Sequence, residues 1–184
     1  MVEMKRLIIV SLLSCNILAQ TPGAVVTDID GIQYVTVIIG GQEWMSENLK
    51  TSKYSNGDLL PNVKGDTQWA NLNTNAWSYW ANDSQYENSY GKLYNWYTAA
   101  DPRNVCPTGW HVPMQDEWST LINYLDPNAN GGSVVPNTAA GGKMKSTGLQ
   151  HWNSPNLGAT NESGFSGLPG GSRNFFWGWR LQLY

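Results

Sequence analysis

The stretch Gln33-Tyr34-Val35-Thr36-Val37-Ile38-Ile39-Gly40-Gly41-Gln42-Glu43-Trp44-Met45 decides the fold. From Tyr34 to Ile39 every residue is β-branched or aromatic, the composition of a strand on a pleated, half-buried surface. Gly40-Gly41 then supplies two positions where positive φ carries no steric penalty, as a two-residue hairpin loop requires. The reading is a β-hairpin whose return strand starts at Gln42.

Upstream, Asp28-Ile29-Asp30-Gly31 reads as a turn, and residues 20–27 as a short polar lead with Pro and Gly. Downstream, residues 48–63 carry Ser55-Asn56-Gly57-Asp58 and Pro61 and read as a loop excursion over the sheet. Residues 67–72 suit one or two helical turns. Ala76-Trp77-Ser78-Tyr79-Trp80 alternates like a strand, and the apolar pattern that resumes after Gly91 reads as helix from Leu93 onward. The clearest helix follows, because Trp118, Leu121, Ile122 and Leu125 fall at i, i+3, i+4 and i+7. Asp116 and Glu117 favour its first turn, and Asp126-Pro127 ends it. Residues 128–171 read as loop, anchored by Trp152, Phe165 and Leu168. So much loop in a compact domain points to a binding surface or to a fold with long ordered loops.

The chain has 184 residues, 11 Lys plus Arg against 14 Asp plus Glu, and a net charge of −3 without any block of like charge. That is one domain of ordinary size, and the charge excludes the footprint of a nucleic-acid binder. Residues 1–19 read as a signal peptide: Lys5 and Arg6 precede the apolar run Leu7–Leu13, and a small residue at Ala19 sets cleavage before Gln20. The apolar run is too short to span a bilayer, and no second span follows, so the mature chain has no transmembrane segment. An alternative uses Leu12-Leu13-Ser14-Cys15 as a lipobox, with Cys15 lipidated. Either way the protein is exported, to the extracellular space or the cell surface. Cys106 is then an odd cysteine in an oxidising compartment.

Six segments in order resemble one family. They are Thr27–Gly31, Gln42-Glu43-Trp44-Met45-Ser46-Glu47-Asn48-Leu49-Lys50, Tyr90-Gly91-Lys92-Leu93-Tyr94-Asn95-Trp96-Tyr97, Cys106-Pro107-Thr108-Gly109-Trp110-His111-Val112-Pro113 with Glu117-Trp118, Ala140–Lys145, and Asn153–Asn156 through Gly158–Phe165 to Leu168–Arg173. The chain from about Thr27 to Asn174 resembles the Fibrobacter succinogenes major paralogous domain of exported bacterial proteins. The resemblance implies an α+β, C-type-lectin-like fold related to formylglycine-generating enzymes, with a small twisted antiparallel sheet, two helices and long loops. It implies a single domain over residues 28–184 and no established catalytic residues. Where family members continue to a final strand containing a cysteine, this chain turns into Asn174–Tyr184. The expectation is therefore a domain lacking its closing C-terminal strands, either as a natural short form or as a truncation. The resemblance makes Cys106 a disulfide cysteine whose partner would lie in that tail. It also places Ser or Thr where Met114 stands as helix N-cap.

The chemistry-bearing residues are few. His111 and His151 stand forty residues apart without metal-ligand spacing, and His111, between Trp110 and Val112, reads as a packed structural residue. A Cys106/His111 nucleophilic pair is the enzymatic alternative, but the formylglycine-generating enzymes the fold resembles use two active-site cysteines. Calcium, the one cofactor considered, would be sought at Asn82-Asp83 or at Ser154-Pro155-Asn156 with Asn161-Glu162, against the plainer reading of Asx-type loop bonds. Trp77 and Trp80, with Asn82 and Asp83, form the candidate ligand surface, aromatic faces stacking on sugars and polar groups reading hydroxyls. The sequence thus points to an exported, non-catalytic binding or surface-interaction module, with glycan the favoured ligand and a surface protein the other partner. Its rivals are an enzyme of the formylglycine-generating type and a truncated, non-functional product.

Overall fold

The computed structural model describes residues 20–129, 139–174 and 178–180. The opening hairpin forms as expected: β4 (Thr36–Ile39) pairs antiparallel with β5 (Gln42–Met45), with Ile39 opposite Gln42 across a two-residue loop. Gly40 and Gly41 both have positive φ, 59° and 87°. Gly40 is required twice over, since a Cβ there would lie 2.5 Å from Cγ of Tyr124. Val37, Ile39 and Trp44 turn to one face of this ribbon and pack on α4 (Gln115–Leu125) through Leu121 and Leu125, and on α5 (Ala139–Met144) through Ala140.

The lead read at residues 20–27 is part of the sheet. β1 (Thr21–Pro22) pairs with β4, and β2 (Val26–Thr27) pairs with β3 (Gln33–Tyr34) around the Asp28–Gly31 turn. Asp28 organises that turn: Oδ1 accepts the N–H groups of Asp30 and Ile32, and Oδ2 accepts the buried Tyr34 hydroxyl at 2.6 Å. Asp30 reaches the 51–53 segment, accepting from Ser52 N–H (2.7 Å), the Ser52 and Thr51 hydroxyls, and pairing with Lys53 at 2.8 Å. Burial raises the Asp30 pKa, but these donors outweigh it and hold the carboxyl at about 2. A carboxyl depressed on folding contributes stability that is complete above its ordinary value of 3.8 and disappears as pH falls toward 2. The shift corresponds to about 2 kcal/mol. Thermal midpoints of the wild type and Asp30→Asn should therefore differ at pH 6 and converge between pH 4 and pH 2.

The second half of the chain builds two more clusters. α1 (Asp66–Ala70) packs Trp69 against Val63 and Ala76. β6 (Trp77–Tyr79) pairs with β7 (Lys92–Tyr94), setting Trp77 against Tyr54, Leu60, Val105 and Cys106. Between them lie two 3-10 turns and α2 (Glu87–Tyr90). The helix expected from Leu93 is corrected: Lys92–Tyr94 is strand, and α3 (Trp96–Ala99) starts only where Asn95 Oδ1 caps it by accepting Thr98 N–H. The loop reading after residue 128 misses α5. After it the chain is irregular until β8 (Ser172–Asn174), which pairs with β9 (Gly178–Arg180) where missing or replaced strands were expected.

The architecture is α+β, with every pair of named strands among the described residues antiparallel and two isolated parallel bridges, Asn62 with Trp77 and Lys145 with Gly167. Among the described residues it departs from the expected plan in detail, with one three-stranded and three two-stranded ladders in place of one sheet, and five α-helices in place of two. Among the helical segments α4 is the longest. Its N-cap is Met114, whose side chain accepts nothing, while Glu117 Oε2 reaches back to accept Met114 N–H at 2.8 Å. Met114→Thr should add about 1 kcal/mol by supplying the missing acceptor, read as a rise in thermal midpoint.

Candidate functional site

Of the four residues expected to form a ligand surface, Trp77 is buried and Trp80, Asn82 and Asp83 are not. Trp77 is a core residue, 7% exposed, with its indole N–H donated to the Leu60 carbonyl at 2.9 Å. Along β6, Trp77 and Tyr79 share the face that packs on the cluster under the 54–60 loop, and Trp77 is the one buried in it. Trp80 is half-buried, edge-on to Tyr86 at 4.5 Å and 5.8 Å from Tyr90, whose ring in turn meets His151. Asn82 donates to the Lys64 carbonyl, and Asp83 caps the following 3-10 turn by accepting Gln85 N–H. Both polar side chains are thus committed to backbone. Gln20 is exposed and donates to the Asn161 carbonyl, while Ala19 and Cys15 lie outside the described residues.

The second calcium candidate is likewise built into loop structure. Asn156 donates to the Ser146 and Gly148 carbonyls, Asn161 bonds both the amide and the hydroxyl of Ser166, and Glu162 lies 3.9 Å from Lys143. Among the described residues no group of three or more His, Cys, Asp or Glu is placed to hold a metal ion.

A different site emerges from the fold. A cleft of about 980 Å³ opens between β5 with its continuation to Leu49, β7, the 105–113 segment leading into α4, and the 165–168 segment. A second lobe of about 500 Å³ continues it past Tyr90, Trp152 and Leu168. Parts of four of the six segments that carry the family resemblance, those around Trp44, Tyr94, Trp110 and Leu168, converge here.

Aromatic rings form one wall. Trp44 lies 4.8 Å from Trp118, and each lies 6.0 Å from Phe165. Trp118, on the apolar stripe of α4, is 37% exposed. His111 is corrected: it is exposed at the cleft mouth, its Nε2 2.8 Å from the Glu117 carboxylate, in place of being packed. Glu117 is held below the ordinary carboxylate range by the Met114 N–H and by His111. Gln42 donates to the Glu117 carbonyl at 3.2 Å, so α4 is tied to the hairpin across the cleft. Two buried polar atoms beside this wall, Gln42 Oε1 and Trp44 Nε1, have no hydrogen-bond partner among the described residues, and native interiors leave few such atoms. Sequence reasoning missed this site because its walls are set by pairing between distant segments. The signal present was the clustering of family motifs around Trp44, Trp110 and Trp118.

Cys106 lies in the cleft wall, free and buried, and burial pushes its thiol up to about 11. A thiol so raised is almost wholly protonated at neutral pH and is a poor nucleophile. His111 pairs with Glu117, not with Cys106.

A model of the Fibrobacter succinogenes major domain matches residues 37–180. No curated protein and no solved structure matches the chain. Among the described residues no helix is long and apolar enough to cross a membrane.

Proposed function

The chain belongs to the Fibrobacter succinogenes major domain family, and from that premise we propose that it is an exported, non-catalytic binding module of the cell surface or extracellular space, with its ligand site in the β5–β7–α4 cleft. The observation that carries this reading is the cleft itself, with its aromatic wall of Trp44, Trp118 and Phe165 and two buried polar atoms that lack partners among the described residues. Ligand sites are typically apolar concavities with a few convergent polar groups. The polar lining joins amide and hydroxyl groups, from Asn48, Asn88, Ser46, Ser89 and Ser146, to the charged Glu43, Glu47, Lys92 and Glu117, which suits a polar ligand rich in hydrogen-bonding groups. A glycan and a segment of a surface protein both meet that description. The signal peptide over residues 1–19, with Cys15 as the lipid-anchored alternative, supports export.

The experiment is a ligand screen on the protein starting at Gln20, using cellohexaose, xylohexaose and a displayed random-peptide library, read by tryptophan fluorescence and thermal midpoint. A ligand at 100 times its Kd raises stability by about 2.7 kcal/mol, a clear midpoint shift. Silence from every probe counts against the binding reading. The same preparation decides the enzymatic rival: Cys106 in the folded protein should resist iodoacetamide, and rapid alkylation near neutral pH would reopen thiol catalysis.

A further inference from the structure

Among the described residues, each strand pair beside the cleft has one covered edge and one edge that is wholly or partly open. β4 is covered on its outer side by β1, with Gly23 N–H bonded to the Thr36 carbonyl at 2.9 Å. β6 is covered by the 61–63 segment, Trp77 N–H donating to the Pro61 carbonyl and Val63 N–H to the Trp77 carbonyl. Among the described residues the other edge of β5 has no such cover, and that of β7 is met by the 49–51 segment only at Lys92. In the β4–β5 ladder, Gln42 and Trp44 face β4 in hydrogen-bonded register, a phase confirmed by Ser46 N–H donating to the Val35 carbonyl. The N–H and C=O groups of Glu43 and Met45 therefore point away from β4, and none of them has a hydrogen-bond partner among the described residues. In β7 the bonded register places Leu93 toward Ser78, which turns Lys92 and Tyr94 outward. Lys92 N–H is bonded to the Leu49 carbonyl at 3.0 Å, while Tyr94 N–H and C=O are unpartnered among the described residues.

These open edges border the same cleft, for Glu43, Met45, Lys92 and Tyr94 all line it. They meet at the Leu49–Lys92 bond, where Gly91 has φ 62° and a Cβ would stand 2.5 Å from the Leu49 carbonyl. Unpaired strand edges are normally shielded by charge, proline, bulges or covering segments, because they invite strand addition. Here two of them flank an apolar floor made by Leu49, Leu93, Val105, Cys106 and Leu168. The cleft, about 980 Å³, stands at the upper end of the usual 300–1,000 Å³ of a small-molecule site, and a second lobe of about 500 Å³ adjoins it.

Resting on the binding reading above, we propose that the ligand is an extended polypeptide segment supplied by another protein, which docks as an added strand against the free edges of β5 and β7. Its backbone takes the unpartnered groups of Glu43, Met45 and Tyr94, and its alternate side chains, apolar in character, face the cleft floor. This is strand addition, in which main-chain bonds give affinity and alternate side chains give specificity.

The test selects binders from the displayed random-peptide library and follows amide hydrogen exchange with the best synthetic peptide bound. The expected result is enrichment of sequences with alternating apolar residues, and exchange at Glu43, Met45 and Tyr94 slowed by at least about tenfold. Methylating alternate peptide nitrogens on the bonding edge should weaken binding by at least about tenfold, equivalent to about 1.4 kcal/mol. Met45→Pro removes an edge N–H that β4 does not use, and proline is tolerated on edge strands. It should abolish peptide protection with little change in thermal midpoint, and the methylated peptide decides the matter where that variant fails to fold. Equal affinity of methylated and unmethylated peptides overturns the proposal, as does protection confined to other amides. Oligosaccharide binding without any peptide enrichment overturns strand addition and leaves the binding module standing, whereas no response to either probe removes both. Protection of the same amides that rises with protein concentration, without peptide, overturns the choice of partner in favour of a second copy of the chain.

Discussion

Replacing Arg173 by methionine is expected to lower stability by about 3 kcal/mol, one of the two largest effects predicted for this protein. The side chain is 1% exposed, and its guanidinium donates to the Val63 carbonyl at 2.7 Å, the Lys64 carbonyl at 2.8 Å and Asp66 at 2.7 Å. It also lies 4.6 Å from the centre of the Trp69 ring. One residue of β8 thereby holds the segment around α1 from more than a hundred positions away in sequence. The ion pair with Asp66 is the smaller part, because Asp66 is 64% exposed and exposed pairs are worth at most about 1 kcal/mol. The larger part is the loss of donors to two carbonyls, each of which costs its desolvation when left without a partner. Asp66→Asn should therefore cost less than about 1 kcal/mol. Arg173→Lys should fall between the two variants, since an ammonium cannot reproduce a planar fork stacked on an aromatic ring. Urea unfolding of the three variants checks the order. A large effect of Asp66→Asn would move the weight from the carbonyls to the ion pair.

The features legible in the sequence are those whose cause is local. The β4–β5 hairpin follows from a β-branched run ending in Gly40-Gly41, and α4 from an apolar stripe with acidic residues in its first turn; both stand within a few residues of their expected places. Features that depend on distant partners were read wrongly or not at all. Residues 20–27 have no strand pattern of their own and become strand because β4 and β3 offer edges to them. Leu93 fits helix and strand equally by local pattern, and Ser78 decides for strand by pairing with it. In α5, Gly141 and Gly142 suggest loop, yet packing of Ala140 against Leu121 and Leu125 supports a helix despite them.

The site divides in the same way. Its residue types were noticed, since Trp44, Trp110, Trp118 and Cys106 all stand in motifs singled out from the sequence, but their directions were not. His111 looks packed between Trp110 and Val112, while its ring in fact turns outward to Glu117. Trp118 lies on the apolar stripe of α4 and still shows part of its ring to the cleft. The open edges of β5 and β7 leave no mark in sequence at all, because an edge is defined by the strand that is not beside it.

Trp77→Ala is expected to cost about 3–5 kcal/mol, the range for removing a large aromatic from a core, a large fraction of the 5–15 kcal/mol that holds a domain folded. The ring fills the space among Tyr54, Leu60, Val105 and Cys106, and its N–H serves the buried Leu60 carbonyl. Lys92 adds to the loss, because its ammonium lies 4.7 Å from the Trp77 ring centre, beside the Glu87 carboxylate, with its side chain almost fully buried. Removing the ring leaves that charge with less compensation. Trp77→Phe keeps most of the volume and gives up the hydrogen bond, so it should cost about 1–3 kcal/mol. Trp118→Ala is the contrasting case: the residue is partly exposed, its contacts with Trp44 and Phe165 are on the cleft wall, and its stability cost should be clearly smaller than that of Trp77→Ala. Chemical unfolding of the three variants, alongside peptide and oligosaccharide binding, separates a core role from a ligand role. If Trp77→Ala folds normally and loses ligand, the tryptophan belongs to a binding surface and the cleft is misassigned. If Trp77→Ala unfolds while Trp118→Ala stays folded and loses ligand, recognition lies on the cleft wall, and the aromatics of β6 serve to hold β7 and its open edge in place.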